Sequence, residues 1–202
     1  MTGELVEFVG EDFSDEHLVQ QTWHRQHYTR CSFRDADLSE LRTEFSVFTE
    51  CDFTGADLTD SHHISSAFRS CIFTRTTLWH SSFRRSSLLG SVFVDCRLRP
   101  LLIDEVDFTL VSMSGADLRG VDFTDSGFRE ADLAHADMRG ATLRSVDLLG
   151  ARIEGLRLEG ADLRGAHIDP GLWTAATLDG TQVELTQAVA YATARGLVVE
   201  PW

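Results

Sequence analysis

An apolar residue returns at every fifth position from Phe8 to Val183, and 34 of the 36 positions in that register are apolar. Helical faces repeat every 3.6 residues and strand faces every 2, so a period of five belongs to neither. It requires a coil whose corners recur at that spacing, and an internal repeat of this regularity outranks local propensity. Two positions before the large residue sits a small one, as in Cys31, Ala36, Cys51, Ala56, Cys71, Ser81, Ala116 and Ala161. The other three positions of each unit are mostly polar. One large and one small inward residue per unit predicts a thin solenoid filled by its own side chains.

The clearest copies, Ala116-Asp117-Leu118-Arg119-Gly120 and Ala161-Asp162-Leu163-Arg164-Gly165, carry an A(D/N)LXX signature that resembles the pentapeptide-repeat family. That resemblance implies an all-β fold, a right-handed quadrilateral β-helix in which four units make one square coil. Sorting the central residues by steps of twenty supports the implied coil. One column reads Phe13, Phe33, Phe53, Phe73, Phe93 and the next Leu18, Leu38, Leu58, Leu78, Leu98, as expected if positions twenty apart stack and like side chains fill like gaps. Eight to nine coils at about 4.8 Å each predict a rod on the order of 40 Å long. Thr43 and His63 break the apolar register and should be stacked neighbours, where a mutual hydrogen bond would satisfy both; a bulge turning Phe45 or Ile64 inward is the alternative.

The ends read differently. Residues 1–30 form a degenerate N-terminal coil or cap, because Glu11, Glu16, Gln21 and Gln26 occupy slots expected to be small and inward. Residues 31–183 are the repeat proper, with Pro100 at a corner as a candidate kink or cis peptide. Asp169-Pro170 resembles a helix start, yet Trp173 and Leu178 keep the five-residue phase, so coil is expected there. Residues 184–202 hold a short C-terminal α-helix and a tail: the helix is predicted over Thr186 to Arg195, with Thr186 as N-cap and Gly196 as the stop. Val189, Ala190 and Thr193 line one side of it, and the tail residues Leu197, Val198, Val199 and Trp202 are too apolar to be left in water. These residues either cover the chain's own last coil or pack on the same end of a second copy as a two-fold dimer.

The formal net charge is −14 and the isoelectric point near 4.8. Such a chain is not expected to bind nucleic acid directly, which needs a basic stripe; it suits a basic partner. All eighteen basic residues are arginine. No apolar run approaches a membrane span, and the acidic start lacks the pattern of a signal peptide, so a cytoplasmic protein is expected. Cys31, Cys51 and Cys71 are twenty apart and should form a ladder of buried thiols, whose parallel arrangement does not suit a metal site. His24 and His27 fall in consecutive units facing different sides, which also argues against a metal. No nucleophile-base pair, phosphate loop or convergent ligand set is present, so neither an enzyme nor a cofactor is expected.

Outward charge is uneven. From Phe68 to Arg99, Arg69, Arg75, Arg84, Arg85, Arg97 and Arg99 face only Asp95, with outward apolar Trp79, Leu89, Val92 and Val94 among them. Next comes an acidic stretch, Asp104, Glu105, Asp107, Asp117, Asp122, Asp125, Glu130, Asp132 and Asp137, in which about half of the carboxylates are expected to bond turn backbone. Non-generic segments narrow the resemblance. Thr74 to Phe83, Leu89 to Phe93, Cys96 to Pro100, Asp107 to Leu110, Asp169 to Trp173 and Gln187 to Ala190 are similar to mycobacterial fluoroquinolone-resistance members of the family. That likeness implies a homodimer joined through C-terminal elements that binds DNA gyrase in place of DNA. The rival expectation is an adaptor rod that binds another protein through the Trp79–Leu89 region.

Overall fold

Residues twenty apart pair in parallel along the chain, from Val6 with Gln26 to Asp162 with Gln182. Each turn of the computed structural model, which describes residues 5–200, therefore holds four five-residue units, one per wall. In chain order the strands are β1 (Val6–Val9), β2 (Thr22–His24), β3 (Gln26–Thr29), β4 (Arg42–Glu44), β5 (Val47–Thr49) and β6 (His62–Ile64). They continue with β7 (Ala67–Arg69), β8 (Ile72–Thr74), β9 (Ser82–Arg84), β10 (Val92–Val94) and β11 (Leu102–Asp104). The first wall is the sheet β1-β3-β5-β7, the second contains β8 and β10, and the fourth is β11-β9-β6-β4-β2. The third wall is built of turns.

The core is a set of stacked columns. Phe13, Phe33, Phe53, Phe73 and Phe93 lie nearly parallel with successive centroids 5.0, 4.9, 5.0 and 4.6 Å apart. Beside them Phe8, Tyr28, Phe48 and Phe68 stack at 4.7, 5.0 and 4.6 Å. These spacings equal the distance between hydrogen-bonded strands, so backbone ladder and ring stack share one repeat. Thr43 and His63 are buried and bonded as expected, Thr43 Oγ1 lying 2.9 Å from His63 Nδ1 and Ser61 Oγ 3.0 Å from Nε2. Phe45 stays outside, half exposed.

Two unit conformations occur, and aspartate before the centre is found in only one of them. In the tight form the central carbonyl accepts the N–H three residues on, as Phe33 O does from Ala36 at 3.2 Å. Eleven units carry aspartate before the centre, all eleven are tight, and each aspartate Oδ1 accepts the amide two residues later at 2.8–3.3 Å. That side chain closes the turn. None of the eleven strand units has aspartate there; residues such as Thr22, Val47, Ile72 and Val92 keep the backbone extended instead.

In the extended form the central carbonyl lacks that turn partner, and the small residue of the next coil supplies one. Cys31, Cys51 and Cys71 donate through sulfur to Phe8, Tyr28 and Phe48 O at 3.6, 3.5 and 3.5 Å, and Cys96 to Phe73 O at 2.8 Å. Ser46 and Ser91 do the same for Trp23 and Phe68. The thiol ladder is thus a set of donors to otherwise open carbonyls. Burial pushes the Cys71 thiol well up and the Cys96 thiol to about 11, so both stay protonated and able to donate.

Glycine is needed where corners stack closely. At Gly55 (φ +74°) a Cβ would collide with the Asp35 carboxylate of the coil before it. The Arg99–Pro100 peptide is cis, and Pro100 O still accepts the His80 amide at 2.8 Å.

Three expectations about the ends are corrected. Glu11, Glu16 and Gln21 are exposed and Gln26 half-buried, although Val6–Val9 already pairs with Gln26–Thr29 as regular coil. The small slot points toward the preceding coil: Gln26 has β1 there, whereas Glu11, Glu16 and Gln21 have no coil before them within the described residues. Asp169–Trp173 is not all coil: a one-turn helix, α1 (Leu172–Ala175), buries Leu172 and Trp173, and the ladder resumes at Thr177 paired with Arg157. This unit makes no ladder pair with the coil before it and follows the helical start that Pro170 favours. The last helix, α2, spans Leu185–Ala194, and its N-cap is Glu184 rather than Thr186. Gln187, three residues on, accepts the Glu184 amide at 3.0 Å and completes a reciprocal capping box. Gly196, at φ +85°, follows the helix as its expected stop.

Two outcomes follow. Cys51→Ala leaves the Tyr28 carbonyl open and should cost about 1 kcal/mol in denaturant unfolding, while Cys51→Ser keeps a donor and should cost less; equal losses would mean the thiol does not act through that bond. His63 is held neutral by burial, its pKa pushed down from 6.5 to about 3. The unfolded chain therefore binds an extra proton below pH 6.5, and stability should fall as pH drops from 6.5 toward about 3. His63→Phe should flatten that part of the stability–pH curve, most cleanly above the carboxylate range.

Candidate partner-binding surface

Because side chains at and two before the centre turn inward, the protein's chemistry lies in the outward columns. A segment of 34 residues winds around the rod more than one and a half times, and the acids between Asp104 and Asp137 accordingly spread over all four walls. Asp104, Glu105, Asp122 and Asp125 lie on the fourth wall or its corner, Asp107 and Glu130 on the first, Asp132 on the second, and Asp117 and Asp137 on the third. The structure does not bring them together on one face.

Much of their charge is already paired. Arg84 meets Asp104 at 3.0 Å, Arg99 meets Asp117 at 2.8 Å, and Arg152 meets Asp132 at 3.0 Å. Arg119 grips Asp117 through two nitrogens at 2.8 Å each, and Arg139 does the same to Asp137 at 2.8 and 2.6 Å. The hydrogen bond from Arg119, helped by its own and Arg99's charge, lowers the Asp117 pKa to about 2 against partial burial. Asp107, Asp117, Asp122, Asp132 and Asp137, five of the nine, also bond turn amides. Among the described residues, Glu105, Asp125 and Glu130 have no side-chain hydrogen bond or cation, and all three are exposed at corners.

The stronger anionic surface is at the other end. Residues 5–60 contain thirteen carboxylates and four arginines, a net of −9, against +5 for residues 61–103 and −7 for 104–137. Here the one arginine–carboxylate pair among the described residues is Arg34 with Asp52 at 2.8 Å. Asp15, Asp35, Asp37, Glu40, Asp57 and Asp60 gather on the third wall and its two corners, with Asp37 and Asp57 directly in register. No arginine lies among residues 16–20, 36–40 or 56–60. His17 and His80 lie 3.9 and 3.4 Å from Asp37 and Asp60. The charge count alone could have singled these residues out; their common face needed the twenty-residue coil.

The apolar patch is likewise rearranged. Val92 and Val94 are exposed on the second wall, where Ile72 joins them, and Leu110 is exposed at the adjoining corner of the first wall; Ile72 and Leu110 were both missed in the sequence. Trp79 lies around the corner on the third wall, stacked on His80 at 4.1 Å, and Leu89 is half-buried. At the C-terminal end, Gln187 Nε2 donates to Leu163 and Ala166 O at 2.8 and 3.1 Å, so α2 does cover its own last coil. Val189, Ala190, Thr193, Leu197, Val198 and Val199 remain exposed; Trp202 lies outside the described residues. No helix is long and apolar enough to cross a membrane, and no group of three or more His, Cys, Asp or Glu among the described residues could hold a metal ion.

A family model described as "Pentapeptide repeats" matches residues 29–62, 104–125 and 128–165 in eight copies. The pentapeptide repeat protein MfpA of Mycobacterium tuberculosis (strain ATCC 25618 / H37Rv) is 55% identical over 101 residues, which are 50% of this chain and 55% of that protein. The chain thus spans about half the length of this curated relative. The structure of full-length QnrB1, a plasmid-mediated fluoroquinolone resistance protein, matches with a TM-score of 0.85 at 16% identity, covering 96% of this chain and 98% of that one. HetL, a pentapeptide repeat protein involved in heterocyst differentiation regulation from the cyanobacterium Nostoc sp. strain PCC 7120, matches with a TM-score of 0.60 at 20% identity, over 87% and 84% of the two chains. At these identities the structural likeness concerns the fold alone.

Proposed function

This chain belongs to the pentapeptide-repeat family, and we propose that it is a regional mimic of duplex DNA that binds DNA gyrase in DNA's place, alters its activity and lowers the effect of fluoroquinolones. The likeness to MfpA over half the chain favours this branch of the family. The observation that carries the reading is charge density. Residues 5–60 make just under three coils, about 14 Å of rod, and carry a net of −9; duplex DNA carries about eight charges over that length. A surface that anionic, with few arginines to quench it, suits a groove built for phosphate. Asp104, Glu105, Asp107, Asp117, Asp122, Asp125, Glu130, Asp132 and Asp137 extend it beyond the arginine belt, mainly through the unpaired Glu105, Asp125 and Glu130. The protein acts by binding, without catalysis, in the cytoplasm where gyrase works. The exposed Ile72, Val92 and Val94, with Leu110 at the adjoining corner, favour a second reading, an adaptor rod that docks a protein through the second wall.

Corner acids can be neutralised without touching the turn bonds. Asp15→Asn, Asp35→Asn, Glu40→Gln and Asp60→Asn together should weaken the effect on gyrase supercoiling about tenfold, and added salt should weaken the wild-type effect. Glu105→Gln, Asp125→Asn and Glu130→Gln should have a smaller effect. A supercoiling response indifferent to both sets and to salt would sink the mimicry and direct attention to the second wall.

The same proposal includes a two-fold dimer through α2 and the tail, using Val189, Ala190, Thr193, Leu197, Val198, Val199 and Trp202. Val189→Asp with Val198→Asp should reduce the mass in sedimentation to that of one 22.5 kDa chain. An unchanged dimer mass in that variant would remove these residues from the interface.

A further inference from the structure

The first coil leaves an open β edge. The amides of Ser32 and Asp37 donate to Glu11 and Glu16 O of the coil before, at 2.9 Å each, whereas those of Asp12 and His17 have no backbone acceptor among the described residues. The layer at this end is apolar and incompletely covered: Phe8, Phe13 and Leu18 are only partly buried, and Leu5, Val6, Val9 and Val19 are exposed. An apolar end layer ringed by free ladder groups is a template for coaxial addition of another copy.

The residues that rise over this edge on the second, third and fourth walls depart from the small-residue rule. In later coils these slots hold residues such as Cys51, Ala36 and Leu41, buried against the coil before; at the edge they hold Glu11, Glu16 and Gln21. Gln26, the fourth departure, lies over β1, and its Oε1 accepts the Tyr28 hydroxyl at 2.6 Å. Glu11, Glu16 and Gln21 have no side-chain partner among the described residues. We propose that these three side chains form a polar crown over three of the four walls that prevents a second copy of this chain from stacking on the N-terminal edge. An incoming edge would bury two carboxylates without cations and one amide without a partner, a cost that pairing the ladder does not offset. Association is thereby confined to other surfaces, and the rod cannot grow into a fibre from this end. The argument stands apart from the gyrase reading, since it concerns only copies of this chain.

Glu11→Ala, Glu16→Ala and Gln21→Ala together should remove the crown and keep the inward pattern of the repeat. In sedimentation velocity over a wide concentration range, wild type should keep its closed assembly state. The variant should at least double that mass at high concentration, or grow open-endedly if the C-terminal ends also pair. A variant with wild-type circular dichroism and wild-type mass at every concentration would overturn the proposal. If the triple change impairs folding, Glu11→Ala with Glu16→Ala alone provides the same comparison, and a folded pair with unchanged mass overturns it equally.

Discussion

The parallel ladder between residues twenty apart is the constraint on which the structure rests. It sets neighbouring coils one strand spacing apart, and the same distance suits a pair of stacked aromatic rings, as the 4.6–5.0 Å Phe columns show. Backbone bonding and core packing therefore reinforce one another at each level of the rod, and neither requires the other to stretch. Inward positions inherit a fixed environment from the coil before, which is why residue type persists down a column. Outward positions inherit a column as well, so charge on the surface is organised along the rod even where it looks scattered along the chain.

Aspartate before the centre is first of all a structural residue, because its carboxylate closes the tight turn in all eleven units that have it. Its charge comes along whether or not a partner uses it. What distinguishes the two acidic regions is the supply of arginine around them. Beyond Asp104, arginines before or after a centre fall next to these aspartates and hold them, as Arg119, Arg139 and Arg152 do. Before Asp60, the corners add acids that close no turn, and arginine is scarce on the third wall. The surface available to a cationic groove thus depends on what stands beside each acid more than on how many acids there are.

A period of five made the walls, the filled interior, the Thr43–His63 contact and the thiol ladder legible in the sequence, because each follows from which positions share a column. The direction of the small slot was not legible. It points back toward the preceding coil, so Glu11 and Glu16 look like faults in the repeat until no coil is seen before them among the described residues. Nor was the shared face of Asp15, Asp35, Asp37 and Glu40, since residues contiguous in sequence leave a wall after one unit. The run Asp104–Asp137 misled for the same reason, its length in sequence being spent going around the rod. At Asp169–Trp173 two local rules competed, and the helical start at Pro170 won over the five-residue phase.

On the proposed reading, the arginine belt would limit how far DNA mimicry extends. Residues 61–103 carry +5 over about two coils, roughly 10 Å of rod, and the Debye length at physiological salt is about 8 Å. A groove facing the rod would therefore sense two anionic segments separated by a repulsive one, rather than the uniform charge of a duplex. Joined through its C-terminal ends, a dimer would present acid, belt and acid outward from its centre in both directions. Such a pattern can be read in register only by a partner that itself alternates, which adds selectivity that bare DNA does not have.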